Sequence, residues 1–217
     1  MSQITDDITV INRALARIGA APITDLDADD PLVQQVLAVH EDLVEAIFGL
    51  WDWHWARRTL ALDRLAEQPF GYRALFCYPA LALGAPRALY PSRLARATPL
   101  RDFRAEGRTV AADVDELWGT FVCRVAPAHW PAPFRLAYTL WLAAQLAVPV
   151  THDMNLAAAL EQQAVGTPSE GGRGGLIGRA IGVDAAGAGT RAPLNAQDAL
   201  TSAHMGAGAW DGSAGGW

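Results

Sequence analysis

The sequence predicts a mainly helical α+β protein. It should have a helical bundle core, an inserted small antiparallel β region and an extended Gly/Ala-rich C-terminal tail. Three observations predict it. Apolar residues recur at helical spacing near the start of the chain and again after residue 132. Between about 55 and 125 the period shifts toward two, and prolines and glycines break the segments. From Gly166 to Gly189, nine of 24 residues are glycine. At 217 residues the chain can bury about 70% of its unfolded surface. With 51% hydrophobic and 18% charged residues it is globular in bulk.

The first helix is expected over 5–18. Thr5 suits its cap, Asp6 and Asp7 suit its positive end, and Ile8, Ile11, Leu15 and Ile18 form one stripe. Gly19 should end it and Pro22 should block continuation. The acidic loop from Asp25 to Asp30 has a superficial likeness to a calcium loop, but Pro31 follows where such a loop would continue to a glycine and a closing Glu. Asp30 is better read as the cap of a helix over 31–50 with Pro31 in its first turn. Leu50-Trp51-Asp52-Trp53-His54-Trp55-Ala56-Arg57-Arg58 then carries three of the eight tryptophans, and marks the handover from helix to strand. If it is extended, the tryptophans share one broad apolar face opposite Asp52, His54 and Ala56.

Strands are expected near 58–62, 72–78, 101–105, 108–111 and 120–125. Helix returns over 133–148, where Phe134, Ala137, Tyr138, Trp141 and Leu142 keep helical spacing until Pro149 stops it. Asp153 can cap a last helix over 153–165, folded back on its predecessor. Two domains follow from this reading: a core over 1–165, and a flexible linker with a docking tail over 166–217. The tail's sparse apolar residues, among them Leu194, Leu200, Met205, Trp210 and Trp217, suit a tether that orders on a partner.

Composition excludes several chemistries. The chain has no lysine, which removes a P-loop lysine, a Schiff-base lysine and any Ser-Lys arrangement. Cys77 and Cys123 lack paired spacing and read as free thiols. The apolar run from Leu136 to Val150 is interrupted by Gln145 and Pro149 and falls short of the ~20 residues of a membrane helix. Asp6 and Asp7 stand where a secretory signal would carry positive charge, so a soluble cytoplasmic protein is expected. Residues 1–50 hold nine acids and two arginines, and residues 51–110 hold ten arginines and five acids. Such blocks suit pairing between segments or between copies, with an ordinary solvated surface as the alternative. The net charge of −6 argues against a general nucleic-acid binder.

Candidate catalytic groups are few. His40-Glu41-Asp42 with Glu45 is read as a solvated helix face, since neighbours on a helix point about 100° apart. Asp52 and His54 could pair beside the tryptophans, but no recognisable nucleophile accompanies them. The run Gly171-Gly172-Arg173-Gly174-Gly175 lacks both the lysine and the preceding strand of a phosphate loop. No catalytic residue, metal ligand or cofactor is therefore expected.

Four pieces carry a family resemblance. They are Ile11-Asn12-Arg13-Ala14-Leu15-Ala16-Arg17-Ile18-Gly19-Ala20; then Trp51 with Trp53-His54-Trp55-Ala56-Arg57-Arg58 and Leu60; then Gly71-Tyr72, Tyr78-Pro79 and Phe103-Arg104-Ala105-Glu106-Gly107-Arg108; and finally Pro133-Phe134 through Leu142-Ala143-Ala144-Gln145-Leu146-Ala147. In this order they resemble the head-to-tail connecting adaptors of tailed bacteriophages, the group that includes the tail tubular protein A of short-tailed phages. The resemblance spans about Asp7 to Val165. Leu81 stands where that family usually has an acid, and Gly166 to Gly189 interrupts what are usually continuous charged helices.

The resemblance implies a homo-oligomeric ring, commonly of twelve copies, beneath the portal protein of a virion, with a tail or nozzle/stopper protein below. DNA would pass only in transit, no membrane would be involved, and assembly would occur in the host cytoplasm. On this reading Leu194, Leu200, Met205, Trp210 and Trp217 dock on the portal. Trp51, Trp53, Trp55 and Trp141 form a core or interface cluster. Asp27, Asp29 and Asp30 meet Arg57, Arg58, Arg101 and Arg104 between subunits. A non-viral helical/β oligomeric binding module without catalytic activity is the alternative, and an enzyme with an unrecognised site is a third class.

Overall fold

The computed structural model describes residues 2–26, 30–94 and 98–187. Asp27, Asp29 and the tail residues Leu194, Leu200, Met205, Trp210 and Trp217 lie outside the described residues. Within them, helices α1 (Ser2–Arg17) and α2 (Pro31–Leu50) precede seven short strands, and α3 (Ala132–Thr151), α4 (Met154–Val165) and α5 (Gly175–Gly187) follow.

The apolar stripe of α1 is buried as its spacing predicts, with Ile11, Ala14 and Leu15 almost wholly enclosed. The helix starts at Ser2 rather than Thr5, so Thr5 lies inside it rather than capping it. Asn12 explains how the chain turns back after Gly19. Its side-chain amide donates to the Ile23 carbonyl and accepts from the Ile23 amide, both at 2.8 Å, and so clamps the loop onto the helix. Asp30 caps α2 as expected, accepting from the Leu32 amide at 2.9 Å, with Pro31 in the first turn.

Helix α3 is the centre of the bundle and packs against α1, α2, α4 and α5. Its sequence is apolar nearly all round, which suits a helix covered on several sides. It runs through Pro149 to Thr151 rather than stopping there. Only one backbone bond is lost so close to the end, and Thr151 Oγ1 donates to the Ala147 carbonyl at 2.7 Å. His152 then leaves the helix in a left-handed conformation, and Asp153 caps α4 through the Leu156 amide at 2.9 Å.

Strands β1 (Arg57–Ala61), β7 (Trp118–Val122) and β4 (Ala88–Tyr90) form one antiparallel sheet in the order β1-β7-β4. Strands β2 (Asp63–Leu65), β3 (Ala74–Cys77), β6 (Thr109–Ala112) and β5 (Arg104–Glu106) form a second in the order β2-β3-β6-β5. Strands β2 and β4 have only three residues each and were not foreseen. The two sheets share a small core of Leu62, Phe76, Tyr78, Leu89, Val110 and Phe121. Gly119 is needed there, because a Cβ would stand 2.5 Å from the Phe121 ring.

The Gly-rich segment is the main correction to the expected layout. Residues 166–187 were expected as a flexible linker, yet they hold a short 3₁₀ turn at Pro168–Glu170 and then α5. Ile177 and Ala180 of α5 are buried in the helical core. The glycines are offset by local fastening. Thr167 and Glu170 form a reciprocal capping box, and the Glu170 carboxylate accepts from the Thr167 amide at 2.7 Å.

The tryptophan segment does not alternate as an extended strand. His54–Ala56 forms a 3₁₀ turn, which buries Trp53 and Ala56 completely and leaves Trp51 and Trp55 half-buried. Trp53 Nε1 donates to the Ile47 carbonyl at 2.8 Å, tying the turn to the end of α2. Truncating Trp53 to alanine should therefore destabilise the fold by about 3–5 kcal/mol, and Trp51→Ala by distinctly less. Urea unfolding of the two variants checks this ranking, and equal losses would contradict it.

Candidate functional site

Three tryptophans so close in sequence would be wet and costly if left alone, so the chain builds a wall around them. Phe134 at the start of α3 is the hub, with ring centroids 4.8 Å from Trp53, 4.8 Å from Trp55, 5.1 Å from Trp130 and 5.4 Å from Phe48. Trp130 continues the stack to Tyr138 at 4.8 Å. All these pairs are steeply tilted or edge-to-face, the arrangement aromatic quadrupoles favour. Trp141 was expected in this cluster but lies elsewhere. It lines an open hollow with Ala158, Glu161 and Gln162 of α4. Phe48 and Trp130 are members that the sequence reading did not single out, and Phe134, read there as part of a helical stripe, was not foreseen in this cluster.

On the solvent side of this wall lies a cleft of about 380 Å³, lined by Trp53, Trp55, Pro131, Pro133, Phe134 and α5. His54 and Asp184 stand at its edge. Asp52 does not pair with His54, contrary to one reading of the sequence. Instead the Asp184 carboxylate lies 2.8 Å from His54 Nδ1, accepts from the His54 backbone amide at 3.1 Å, and accepts from Trp51 Nε1 at 3.3 Å. Asp184 therefore ties α5 to the helix-to-strand turn across 130 residues of sequence. Arg173 adds a second tie, its guanidinium 6.0 Å from the centre of the Trp51 ring. Among the described residues that line the cleft, none carries a hydroxyl or thiol.

Asp52 serves the β side. It holds the Arg57 fork through Nε at 2.8 Å and Nη2 at 2.5 Å, with Arg87 3.3 Å away. Partial burial pushes its carboxyl up, but the Arg57 hydrogen bonds and the Arg57 and Arg87 charges outweigh that and hold it below the usual value. Arg57, expected at a subunit interface, is paired with Asp52 within the chain. Arg104, expected there too, lies 3.1 Å from Glu106. Arg58 and Arg101 are exposed, and Asp30 is engaged as the α2 cap.

His40 corrects another expectation. It is fully buried rather than solvated. Tyr138 Oη lies 2.8 Å from His40 Nδ1 and donates to its carbonyl at 3.2 Å, while Nε2 stands 3.6 Å from Asp7. Burial, then the Asp7 and Glu41 charges, push the Tyr138 hydroxyl well above its ordinary range, so it remains a donor. Next door, Glu41 receives both arms of Arg124, at 2.5 and 2.8 Å, joining α2 to the segment after β7. That hydrogen bond, against a smaller effect of burial, lowers the Glu41 carboxyl.

Among the described residues no group of three or more His, Cys, Asp or Glu comes together to hold a metal ion, and no helix is long and apolar enough to cross a membrane. These polar groups fasten elements together, His54 with Asp184, Asp52 with Arg57, Glu41 with Arg124 and His40 with Tyr138. Compared with known protein families and with curated proteins, the chain matches no family model and no curated sequence.

Two outcomes are expected. Asp184→Ala leaves the His54 amide without its acceptor and should cost about 1–3 kcal/mol in urea unfolding, with faster proteolysis within α5. Glu41 has a folded pKa below its ordinary value of 4.5, so its contribution is full above 4.5 and is lost as pH falls through the folded value. Glu41→Gln should lower stability at neutral pH and flatten the fall in melting temperature below pH 4.5. An unchanged acid limb would show that the pair contributes nothing.

Proposed function

We propose that the protein is a structural head-to-tail adaptor of a tailed phage or phage-like particle. It forms a ring, of twelve copies, between the portal and a tail or nozzle/stopper protein, and DNA passes through the ring. The single observation that carries the reading is the framework role of the four resembling segments. They form α1, the tryptophan turn, the β lobe and the central helix α3, in that order. A match scattered over surface loops would carry little weight. These segments hold the buried residues Ile11, Trp53, Tyr78 and Phe134, on which both cores rest.

Physical supports lie beside it. The His54–Asp184 pair is used for fastening, and a scaffold has no further need of it. A net charge of −6 repeated around a ring would let DNA slide without sticking, since affinity grows with the number of phosphates neutralised. Helix α5 is described as far as Gly187, and the sequence after it carries Leu194, Leu200, Met205, Trp210 and Trp217 for docking on the portal. The particle is the proposed location, and the host cytoplasm the place of assembly.

Native mass measurement on the purified chain, alone and mixed with the portal ring encoded beside it, tests the reading. A monomer or weak oligomer alone and a stable ring on the portal is the expected result. A persistent small dimer indifferent to the portal would favour a non-viral binding module. Removing 192–217 should leave the melting temperature of the core unchanged and weaken co-sedimentation with the portal. Loss of fold with retained portal binding would contradict the assigned role of the tail.

A further inference from the structure

Some arginines of this chain are held by carboxylates and others are not. Arg57, Arg64, Arg73, Arg87, Arg104 and Arg124 each stand within 4 Å of a carboxylate. Arg58, Arg93, Arg101, Arg108, Arg173 and Arg179 have no such partner among the described residues, and neither do Arg13, Arg17 and Arg135, but these last three converge on one place. Arg13 and Arg17 are one turn apart on α1, and Arg135 faces them from the first turns of α3. With Ala16, Ala132 and Leu136 they line an open groove of about 660 Å³. Leu136 is 43% exposed there, an apolar residue between cations. Guanidinium forks favour two-oxygen acceptors, so this groove suits a carboxylate-bearing surface with a small apolar contact at its centre.

The chain carries such a surface on α2. Asp42 and Glu45 are exposed, one turn apart, and without an ion pair among the described residues, whereas their neighbour Glu41 is taken by Arg124. Ala38 and Gly49 extend the same line above and below the acid pair, and both are exposed. A Cβ at Gly49 would meet nothing within 4 Å among the described residues. The protomer has no steric need for glycine in this helix, where alanine is the better residue, and a closely approaching neighbour would supply the need. Carboxylates at i and i+3 on one helix and guanidiniums at i and i+4 on another are both about 5–6 Å apart at Cβ, so the two rows match.

We infer that the groove between α1 and α3 is the docking site for the Asp42–Glu45 face of α2 in a second copy of this chain. The inference rests on the adaptor reading only in that copies associate; which faces meet is a separate claim. Because groove and ridge are different surfaces, the contact is heterologous, and copies add head to tail until the rotation closes. An open row of copies keeps one free groove at one end and one free acidic face at the other until closure. The attraction is between exposed charges, so it weakens as salt screens it.

A charge swap tests the contact in the full-length chain. One variant carries Arg13→Glu and Arg17→Glu, the other Asp42→Arg and Glu45→Arg. Far-UV circular dichroism and melting confirm that both fold, since all four positions are exposed. Sedimentation velocity at low ionic strength, with and without the portal ring, reads association. Each variant alone should associate at least about tenfold more weakly than the unaltered chain, and their equimolar mixture should return to within about threefold of it. Association of either variant at the unaltered level overturns the inference. So does a mixture no tighter than its folded components. Titration with a duplex oligonucleotide gives a third arm: binding lost in the Arg13→Glu, Arg17→Glu variant with self-association unchanged would make the groove a nucleic-acid site and overturn the contact. A portal ring that forms regardless of the swaps leaves the adaptor reading standing without this contact. Swap-dependent association of a chain that ignores the portal does the reverse.

Discussion

The packing of Trp53 against Phe134 at the point where α2 becomes β1 is the constraint on which the rest of the molecule depends. Trp53 is wholly buried, its indole nitrogen is spent on the Ile47 carbonyl, and Phe134 closes over it from α3. This one place joins elements about 80 residues apart and sets how the β lobe leaves the helical bundle. The neighbouring Cys123 amide donates to the Ala56 carbonyl at 2.9 Å, so the return path after β7 is pinned to the same turn. Dense edge-to-face aromatic packing leaves little room for alternative arrangements, and a rigid corner results.

The same corner explains why a glycine-rich segment folds. Alone, α5 has low helix propensity, with glycines at both ends and within. What stabilises it is distant. Ile177 and Ala180 fill the bundle, and Asp184 receives donors from Trp51 and His54. The segment was read as a linker because local composition disfavours order, and that reading failed because composition carries no account of what lies alongside. The exposed half-turns of the tryptophan segment and the apolar ridge of α5 satisfy each other.

Electrostatics divides along similar lines. The blocks of acid and base along the sequence suggested pairing, but not which groups would pair. Much of the central arginine block is consumed within the chain, as Asp52 with Arg57 and Arg87, and Asp115 with Arg64 and Arg73, illustrate. Among the arginines left without a carboxylate, Arg13, Arg17 and Arg135 are gathered on α1 and α3, in stretches whose sequence is not notably basic. His40 is the reverse case: a residue in a charged run that is enclosed by Tyr138 and Asp7. Its heptad position beside Val36, Leu43, Val44 and Ile47, all buried, was the available signal.

From the sequence alone came the class of fold, the five-element order of helix, helix, β region, helix and helix, and the caps at Asp30 and Asp153. These rest on periodicity and local hydrogen bonding, which act over a few residues and are written into them. The strands β1, β3, β5, β6 and β7 were legible within a few residues for the same reason, and β2 and β4 were not, being too short to show a period. Only the tertiary structure decided that Phe134 and Trp130 complete the aromatic wall, that Trp141 stands apart from it, that residues 175–187 are helix, and which arginines remain unpaired. Each of those depends on contacts between positions far apart in sequence. Which distant groups meet is a property of neighbours in space, and no local pattern encodes it.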